Sequence, residues 1–211
     1  MKLIDYSTIF WDFDGVIKDS MPAKAAAFYE VFISYGEEVA SQALAHHERH
    51  GGVSRLVKIP LYFKTYVGRE AGPKELERAM QRFADLSWEA TINSPYVPGA
   101  YEYLQKHHLT QDFYIVTGTP EGEILESCQR LGIYDWFQGI YGAPKSKTEI
   151  IQAVMEERGL KKSDCLMIGD ARADQVGAEA NGIDFLLREM SENQELFKDY
   201  PGPRVKDFCW V

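Results

Sequence analysis

The sequence predicts an α/β protein: a parallel sheet flanked by helices, with an all-helical unit inserted near its start. Three observations predict it. Short apolar runs alternate with amphipathic helical stretches over most of the chain, the pattern of a parallel sheet covered on both faces. Residues 18–95 break that pattern, with successive helical stretches and no convincing strand. Acidic or hydroxyl residues and glycines stand at the ends of three apolar runs, where open α/β sheets bind their ligands.

The bulk properties agree. A chain of 211 residues has room for one domain and a substantial insert. With 45 % hydrophobic and 26 % charged residues, it is an ordinary globular protein. A net charge of −9 argues against nucleic acid or an anionic membrane as partner, yet leaves room for a local anion site. No apolar stretch approaches the roughly 18 residues of a membrane span. The start, Met1-Lys2-Leu3-Ile4-Asp5, meets an aspartate too early for a signal peptide. Cys128, Cys165 and Cys209 are scattered and odd in number, which suits free thiols in a reducing, cytoplasmic setting.

The elements follow in order. The first strand covers about 7–12, where Ile9, Phe10 and Trp11 run into Asp12. Alternation along a continued strand puts Asp12 and Asp14 on one face, and Gly15 frees the backbone to turn. Helical stretches follow at about 22–35, 37–50, 54–66 and 73–92, punctuated by Pro22, Gly36, Gly51-Gly52, Gly68, Gly72 and Pro73. Successive helices with short connections form a small bundle. The chain returns through Ser94-Pro95-Tyr96-Val97-Pro98-Gly99.

A second strand at 113–117 leads to Thr119, expected to cap a helix with Pro120 at its first position. A third strand at 138–142 precedes Ser146-Lys147-Thr148-Glu149, which has the form of a capping box. Ile150, Ile151, Val154 and Met155 then make a buried stripe, and Gly159 ends the helix. A fourth strand at 164–168 opens into Gly169-Asp170, and an Ala-rich helix closes at Asn181-Gly182. Strands at 184–188 and 204–208 complete the sheet. The expected division is a core of residues 1–17 and 96–211 and a helical unit of residues 18–95.

Asp12, Thr117 and Asp170 all fall at carboxyl ends of strands, so three loops distant in sequence converge. Two carboxylates at one strand end repel, and a protein tolerates that mainly when a cation or a reaction needs them. Alone, Asp-x-Asp-Gly reads equally as a strand ending in an acidic turn. Lys147 in the first turn of a helix opposes the dipole by about 0.3–1 kcal/mol, a penalty that a bound anion reverses. Lys145 is its rival, and a solvated lysine the plain alternative. Asp174, one turn past Asp170, also fits a dipole-favoured first-turn carboxylate.

Other residues carry weaker signals. His46 and His50 share a helix face but lack a third zinc ligand. Phe28, Tyr29, Phe32, Tyr62, Phe63 and Tyr66 recur at helical spacing and read as the core of the bundle. In Arg49-His50-Gly51-Gly52-Val53-Ser54-Arg55, with Lys58 one turn beyond, two glycines break the helix between basic groups. Such a loop often reads a substrate. Arg49 or Arg55 would then bind a second anionic or polyhydroxyl group; the alternative is a helix hairpin with solvated arginines.

Asp12-Phe13-Asp14-Gly15-Val16 resembles the first motif of the haloacid dehalogenase superfamily of phosphohydrolases. Thr117-Gly118, Lys147 at a helix start and Gly169-Asp170-Ala171-Arg172-Ala173-Asp174 resemble its later motifs, in order. The resemblance covers nearly the whole chain, with little motif information between the first two motifs. It implies a Rossmann-like core and a helical cap domain of subclass I, placed as a lid. It further implies a magnesium-dependent phosphomonoester hydrolase of the phosphoglycolate phosphatase and β-phosphoglucomutase branch, acting on a small phosphorylated metabolite.

By that resemblance Asp12 is the nucleophile, forming an aspartyl-phosphate, and Asp14 donates and accepts the proton. Asp12, Asp170 and the Asp14 carbonyl hold Mg2+, with Asp174 either the lysine's partner or in the metal's shell. Gly15, Thr117, Gly118 and Lys147 hold phosphoryl oxygens. A phosphomutase of the same branch is the alternative. Dehalogenation is opposed by Asp14, because the superfamily's dehalogenases lack an aspartate there. An inactive regulatory scaffold is opposed by the four carboxylates it would leave uncompensated.

Overall fold

The structure, a computed structural model, describes residues 2–210. Six strands are present: β1 (Thr8–Trp11), β2 (Asp112–Pro120), β3 (Gly139–Ala143), β4 (Cys165–Gly169), β5 (Asp184–Arg188) and β6 (Arg204–Val205). All pairings are parallel, in the order β3-β2-β1-β4-β5-β6. β1 is therefore central. Trp11 stands level with Ile115 of β2 and Ile168 of β4, so the residues after these three emerge together at one edge.

The sheet is buried on both faces, as its near-continuous apolar strands require. Ile9, Trp11, Phe113, Ile115, Leu166 and Ile168 point to one face. There they pack on α5 (Ala100–His107) and α6 (Glu121–Arg130) through Ala100, Tyr103, Leu104, Ile124 and Cys128. Phe10, Tyr114, Val116, Cys165 and Met167 point to the other. Those meet the predicted stripe Ile150, Ile151, Val154 and Met155 of α7 (Lys147–Arg158), with Ala178 of α8 (Arg172–Asn181).

Between β1 and β2 lie α1 (Met21–Phe32), α2 (Glu37–Arg49), α3 (Arg55–Tyr62) and α4 (Pro73–Asn93). They share a core of their own, including Phe28, Phe32, Tyr62, Phe63 and Phe83. The chain leaves and re-enters the sheet region side by side. Val97 N–H donates to Ile17 O at 3.0 Å, and Asp19 N–H to Pro95 O at 2.9 Å.

Local chemistry explains where the elements differ from expectation. The helix expected at 54–66 ends at Tyr62 and continues as a π-helical turn over Phe63–Val67. Pro60 inside it lacks an N–H and disturbs the backbone ladder. Thr119 does not cap α6. β2 runs on to Pro120, which pairs with Ala143 after a register shift, and the helix starts at Glu121. β6 is only two residues long, and Pro203 just before it cannot donate to the ladder.

The capping box of α7 forms as expected: Glu149 N–H donates to Ser146 Oγ at 3.3 Å, and Ser146 N–H to Glu149 Oε2 at 2.8 Å. Among the described residues no helix is long and apolar enough to cross a membrane. Because the box fixes the helix that carries Lys147, Ser146→Ala should cost about 1 kcal/mol of stability. Chemical denaturation measures it.

Candidate active site

Asp12 is the first residue past β1. Its N–H donates to Ile168 O at 2.9 Å, and its Oδ1 accepts from Phe13 N–H at 2.7 Å. Asp170 follows β4, and Asp174 lies in the first turn of α8. Oxygens from these three carboxylates lie within 4.8 Å of one another, and all three residues are buried. Lys147, first residue of α7, brings its ammonium to 2.7 Å from Asp12 Oδ2 and 2.5 Å from Asp174 Oδ1. Lys145 is exposed, so Lys147 is the lysine that reaches the strand ends.

The charges are unbalanced. Burial alone would lower the Lys147 ammonium, but the facing Asp12 and Asp174 carboxylates outweigh it and raise it above the usual lysine range. Asp170 is pushed well above the carboxylate range by burial, then by Asp12 and Asp174, with Lys147 only partly opposing. Among the described residues its carboxylate accepts no hydrogen bond. Burial likewise lifts Asp174 to about 7 against the pull of Lys147. Three carboxylates facing one ammonium leave a net negative, oxygen-lined site, which suits a hard divalent cation. Asp174 has both oxygens engaged, one on Lys147 and Oδ2 on Ala171 N–H at 3.0 Å. That favours the lysine-partner alternative for it.

Asp14 faces elsewhere. Its carboxylate accepts from Ser20 Oγ at 2.6 Å and Thr119 Oγ1 at 3.1 Å, and pairs with Lys24 of α1. Burial would raise its pKa, but Lys24 and the two hydroxyls hold it below the usual value. Lys24 Nζ also donates to Thr119 Oγ1 at 2.7 Å. Ser20, Lys24 and Thr119 were not anticipated as site residues. The available signal was the spacing of Ser20 and Lys24, four apart at the start of a helix beside Asp14.

Gly15 differs from expectation. Its N–H donates to Lys18 O at 2.7 Å and is not free for a phosphoryl oxygen. Its φ is +77°, and a Cβ there would fall 2.5 Å from Asp170 Oδ2, so the glycine makes room for that carboxylate. Thr117 and Gly118 line a cavity of about 40 Å³ with Asp12 and Asp14 on the sheet side. Gly52, Val53, Arg55, His47, Phe28 and Phe83 close it from the inserted helices.

Of the two arginines, only Arg55 lines this cavity, and its Nη2 lies 2.6 Å from Glu123 Oε2 of α6. Arg49 is exposed at the end of α2 and is not brought to the cavity. His46 and His50 stack at 4.0 Å, with His46 Nδ1 3.1 Å from Tyr62 Oη and no third metal ligand grouped with them among the described residues.

A doubly covered parallel sheet, helices inserted after its central strand, and acidic loops gathered around a helix-borne lysine define a Rossmann-like α/β protein with its site at the strand ends. The haloacid dehalogenase-like hydrolase family matches residues 6–182, and the chain belongs to it. A phosphoglycolate phosphatase from Pseudomonas fluorescens is 26 % identical over 187 residues, covering 83 % of this chain. The chain spans 66 % of the length of that relative. A β-phosphoglucomutase structure from Clostridium difficile matches with a TM-score of 0.74 at 18 % identity, over 96 % of this chain and 92 % of that one. A HAD-hydrolase from Bacillus subtilis, solved bound to magnesium and described as revealing interdomain movement, matches at 0.68 and 19 % identity, over 96 % and 95 %. At such identities these structures show the shared fold.

The loop carrying Gly52 packs so tightly on β2 that a Cβ on Gly118 would lie 2.4 Å from Gly52 O. That neighbour is backbone and cannot rotate away. Gly118→Ala should therefore cost about 1–3 kcal/mol and lift the Gly52 loop, as measured by denaturation and by a crystal structure of the variant.

Proposed function

We propose that the protein is a magnesium-dependent phosphomonoester hydrolase acting on a small phosphorylated metabolite through a phosphoryl group carried by Asp12. One observation carries the reading: Asp12, Asp170, Asp174 and Lys147 converge at the ends of β1 and β4, with Thr117 of β2 lining the same cavity as Asp12. Asp12 and Asp170, with the Asp14 carbonyl, would hold the metal, and Mg2+ there supplies neutralisation of the charge on a phosphoryl group and its attacking carboxylate.

The residues divide the work. An Asp12 carboxylate oxygen attacks phosphorus, and the bond from phosphorus to the ester oxygen breaks. The leaving oxygen takes a proton from Asp14. Asp14 is held ionised here by Lys24, so donation requires Lys24 to withdraw with α1 and Asp14 to be protonated. In the second step Asp14 acts in its ionised form. It takes a proton from water, the water oxygen bonds to phosphorus, and the Asp12–phosphorus bond breaks. Lys147 and Thr117 hold phosphoryl oxygens, and Lys147 also orients Asp12 through its 2.7 Å contact with Oδ2.

A lid fits the geometry. The cavity has room for roughly three water-sized groups. A phosphate ester therefore needs the helices of residues 18–95 to swing about the paired crossings near Ile17–Ser20 and 94–98. The unpaired cysteines, two of them buried, support a reducing, cytoplasmic setting.

A phosphomutase is the second reading, because the sheet-side residues serve both reactions equally. The lid side favours hydrolysis. Beside Met21, Phe28, Val53 and Phe83 it presents three polar side chains, Lys24, His47 and Arg55, of which Lys24 and Arg55 are already paired with Asp14 and Glu123; that is a small set to hold a sugar in two orientations. Incubation with a sugar 1-phosphate and a bisphosphate primer separates the two. Inorganic phosphate released from a metabolite panel supports the hydrolase; rapid isomerisation with little free phosphate overturns it.

Asp12→Asn should keep the fold and lower turnover by roughly a thousandfold or more, since an amide is no nucleophile. Mass spectrometry of trapped wild-type enzyme should find the phosphoryl group on Asp12. Chelator should remove activity and magnesium restore it; full activity in excess chelator refutes the metal assignment.

A further inference from the structure

Asp170 is the carboxylate of the site with the least support. Burial, Asp12 and Asp174 all oppose its charge, and its carboxylate accepts no hydrogen bond among the described residues. Like charges nearby push it away from the cluster. What holds it there must act through its backbone. The peptide unit between Asp170 and Ala171 is bonded at both ends. Asp170 O accepts from Asn193 Nδ2 at 2.8 Å, and Ala171 N–H donates to Asp174 Oδ2 at 3.0 Å. A peptide unit is planar, so partners at its two ends fix its orientation and with it ψ of Asp170. Asp174 belongs to the acidic cluster. Asn193 comes from outside it.

Asn193 ends the short helical turn Ser191–Asn193 that follows β5, and it is 5 % exposed. A buried carboxamide is costly unless its groups are paired. Here they are. Besides Asp170 O, Nδ2 donates to Arg188 O at 2.9 Å, and Oδ1 accepts from Met190 N–H at 2.9 Å. Arg188 is the last residue of β5, and the next residue, Glu189, donates its N–H to Val205 O of β6 at 2.7 Å. The amide therefore joins the loop that bears Asp170 to the firm edge of the sheet. It also sets Met190. A Cβ on Gly15 would fall 2.5 Å from Asp170 Oδ2 and 3.0 Å from Met190 Cε, so that methyl stands beside the same carboxylate.

We propose that Asn193 is a positioning residue for the metal site: its carboxamide pins the Asp170 carbonyl and thereby presets the Asp170 carboxylate for a divalent cation. The inference rests on the metal assignment made above. Asn193 acts through Asp170 alone. Without it one end of the peptide unit is free, and Asp170 turns away from Asp12 and Asp174. The carboxylates must then be gathered again at each binding event, a cost that preorganisation removes. The loss falls on metal affinity and not on the rate of the loaded enzyme.

Binding of Mn2+ alone, without substrate, is the test, read from the electron paramagnetic resonance signal of the free ion. Asn193→Ala should weaken binding about tenfold. Asn193→Ser keeps a hydroxyl donor and should lie between that variant and the wild type; it also carries the comparison if the alanine variant folds poorly. At saturating Mg2+ both variants should keep kcat within about twofold of wild type, with the loss confined to the Mg2+ concentration that gives half activity. Leu196→Ala is the control. Leu196 packs on the core beneath the sheet from the same segment, so its truncation loosens the segment and leaves the amide in place. Its Mn2+ affinity should equal that of the wild type.

Wild-type Mn2+ affinity in the Asn193 variants overturns the proposal. So does an equal loss of affinity in Asn193→Ala and Leu196→Ala, which marks a structural role. If the wild-type protein itself binds no Mn2+, the metal assignment fails and the proposal falls with it.

Discussion

The Lys147 ammonium lies between the Asp12 and Asp174 carboxylates, at 2.7 and 2.5 Å, with all three side chains buried. Each element around the site serves that contact. The capping box of α7 sets Lys147 at the first turn, and the helix's apolar stripe clamps it on the sheet. Gly177 of α8 allows the approach, since a Cβ there would come within 3.4 Å of Lys147 Cβ. Removing one partner from such a group leaves an uncompensated buried charge, which costs about 3–5 kcal/mol. The pair thus positions Asp12 and ties β1, α7 and α8 together.

The same contact leaves a remainder. One ammonium cannot balance three carboxylates, and Asp170 carries the excess. Gly15 clears the space beside Asp170 in place of binding substrate through its N–H. A cation at Asp170 would relieve that repulsion as well as serve the proposed chemistry. Folding and metal affinity would then be linked, because whatever binds the native carboxylates and not the unfolded chain adds to stability.

Much of this was legible in the sequence because it is local. Apolar runs leading into Asp12 and Asp170 read directly as strand ends, whereas β2 runs past Thr117 to Pro120. Ser146 to Glu149 reads as a helix start, and that distinguishes Lys147 from exposed Lys145 once the helix is in place. The environment of Asp14 was not legible. Thr119 has good cap chemistry, but its hydroxyl is taken by a carboxylate 105 residues away in sequence, and β2 extends through it. Lys24 reads as an ordinary helix lysine until α1 is placed over β1. The sequence marks the Arg49–Arg55 loop as one that could read a substrate, yet only the packing of α2 and α3 decides which side chain lines the cavity. Arg55 does, with His47 and not Arg49 beside it.

Lys24 ties the inserted helices to the chemistry proposed at Asp14. Lys24 belongs to α1 and holds Asp14 ionised, so a lid movement that carries α1 also changes the proton affinity of Asp14. α1 packs closely on α2, whose His47 lines the same cavity. A ligand that moves these helices does so only by its differential affinity for the two arrangements. The arrangement in which Lys24 meets Asp14 holds that carboxylate ionised, the state that the proposed second step needs. Proton placement at Asp14 is thereby tied to the placement of the inserted helices, with the Asp12–Lys147–Asp174 contact as its fixed floor.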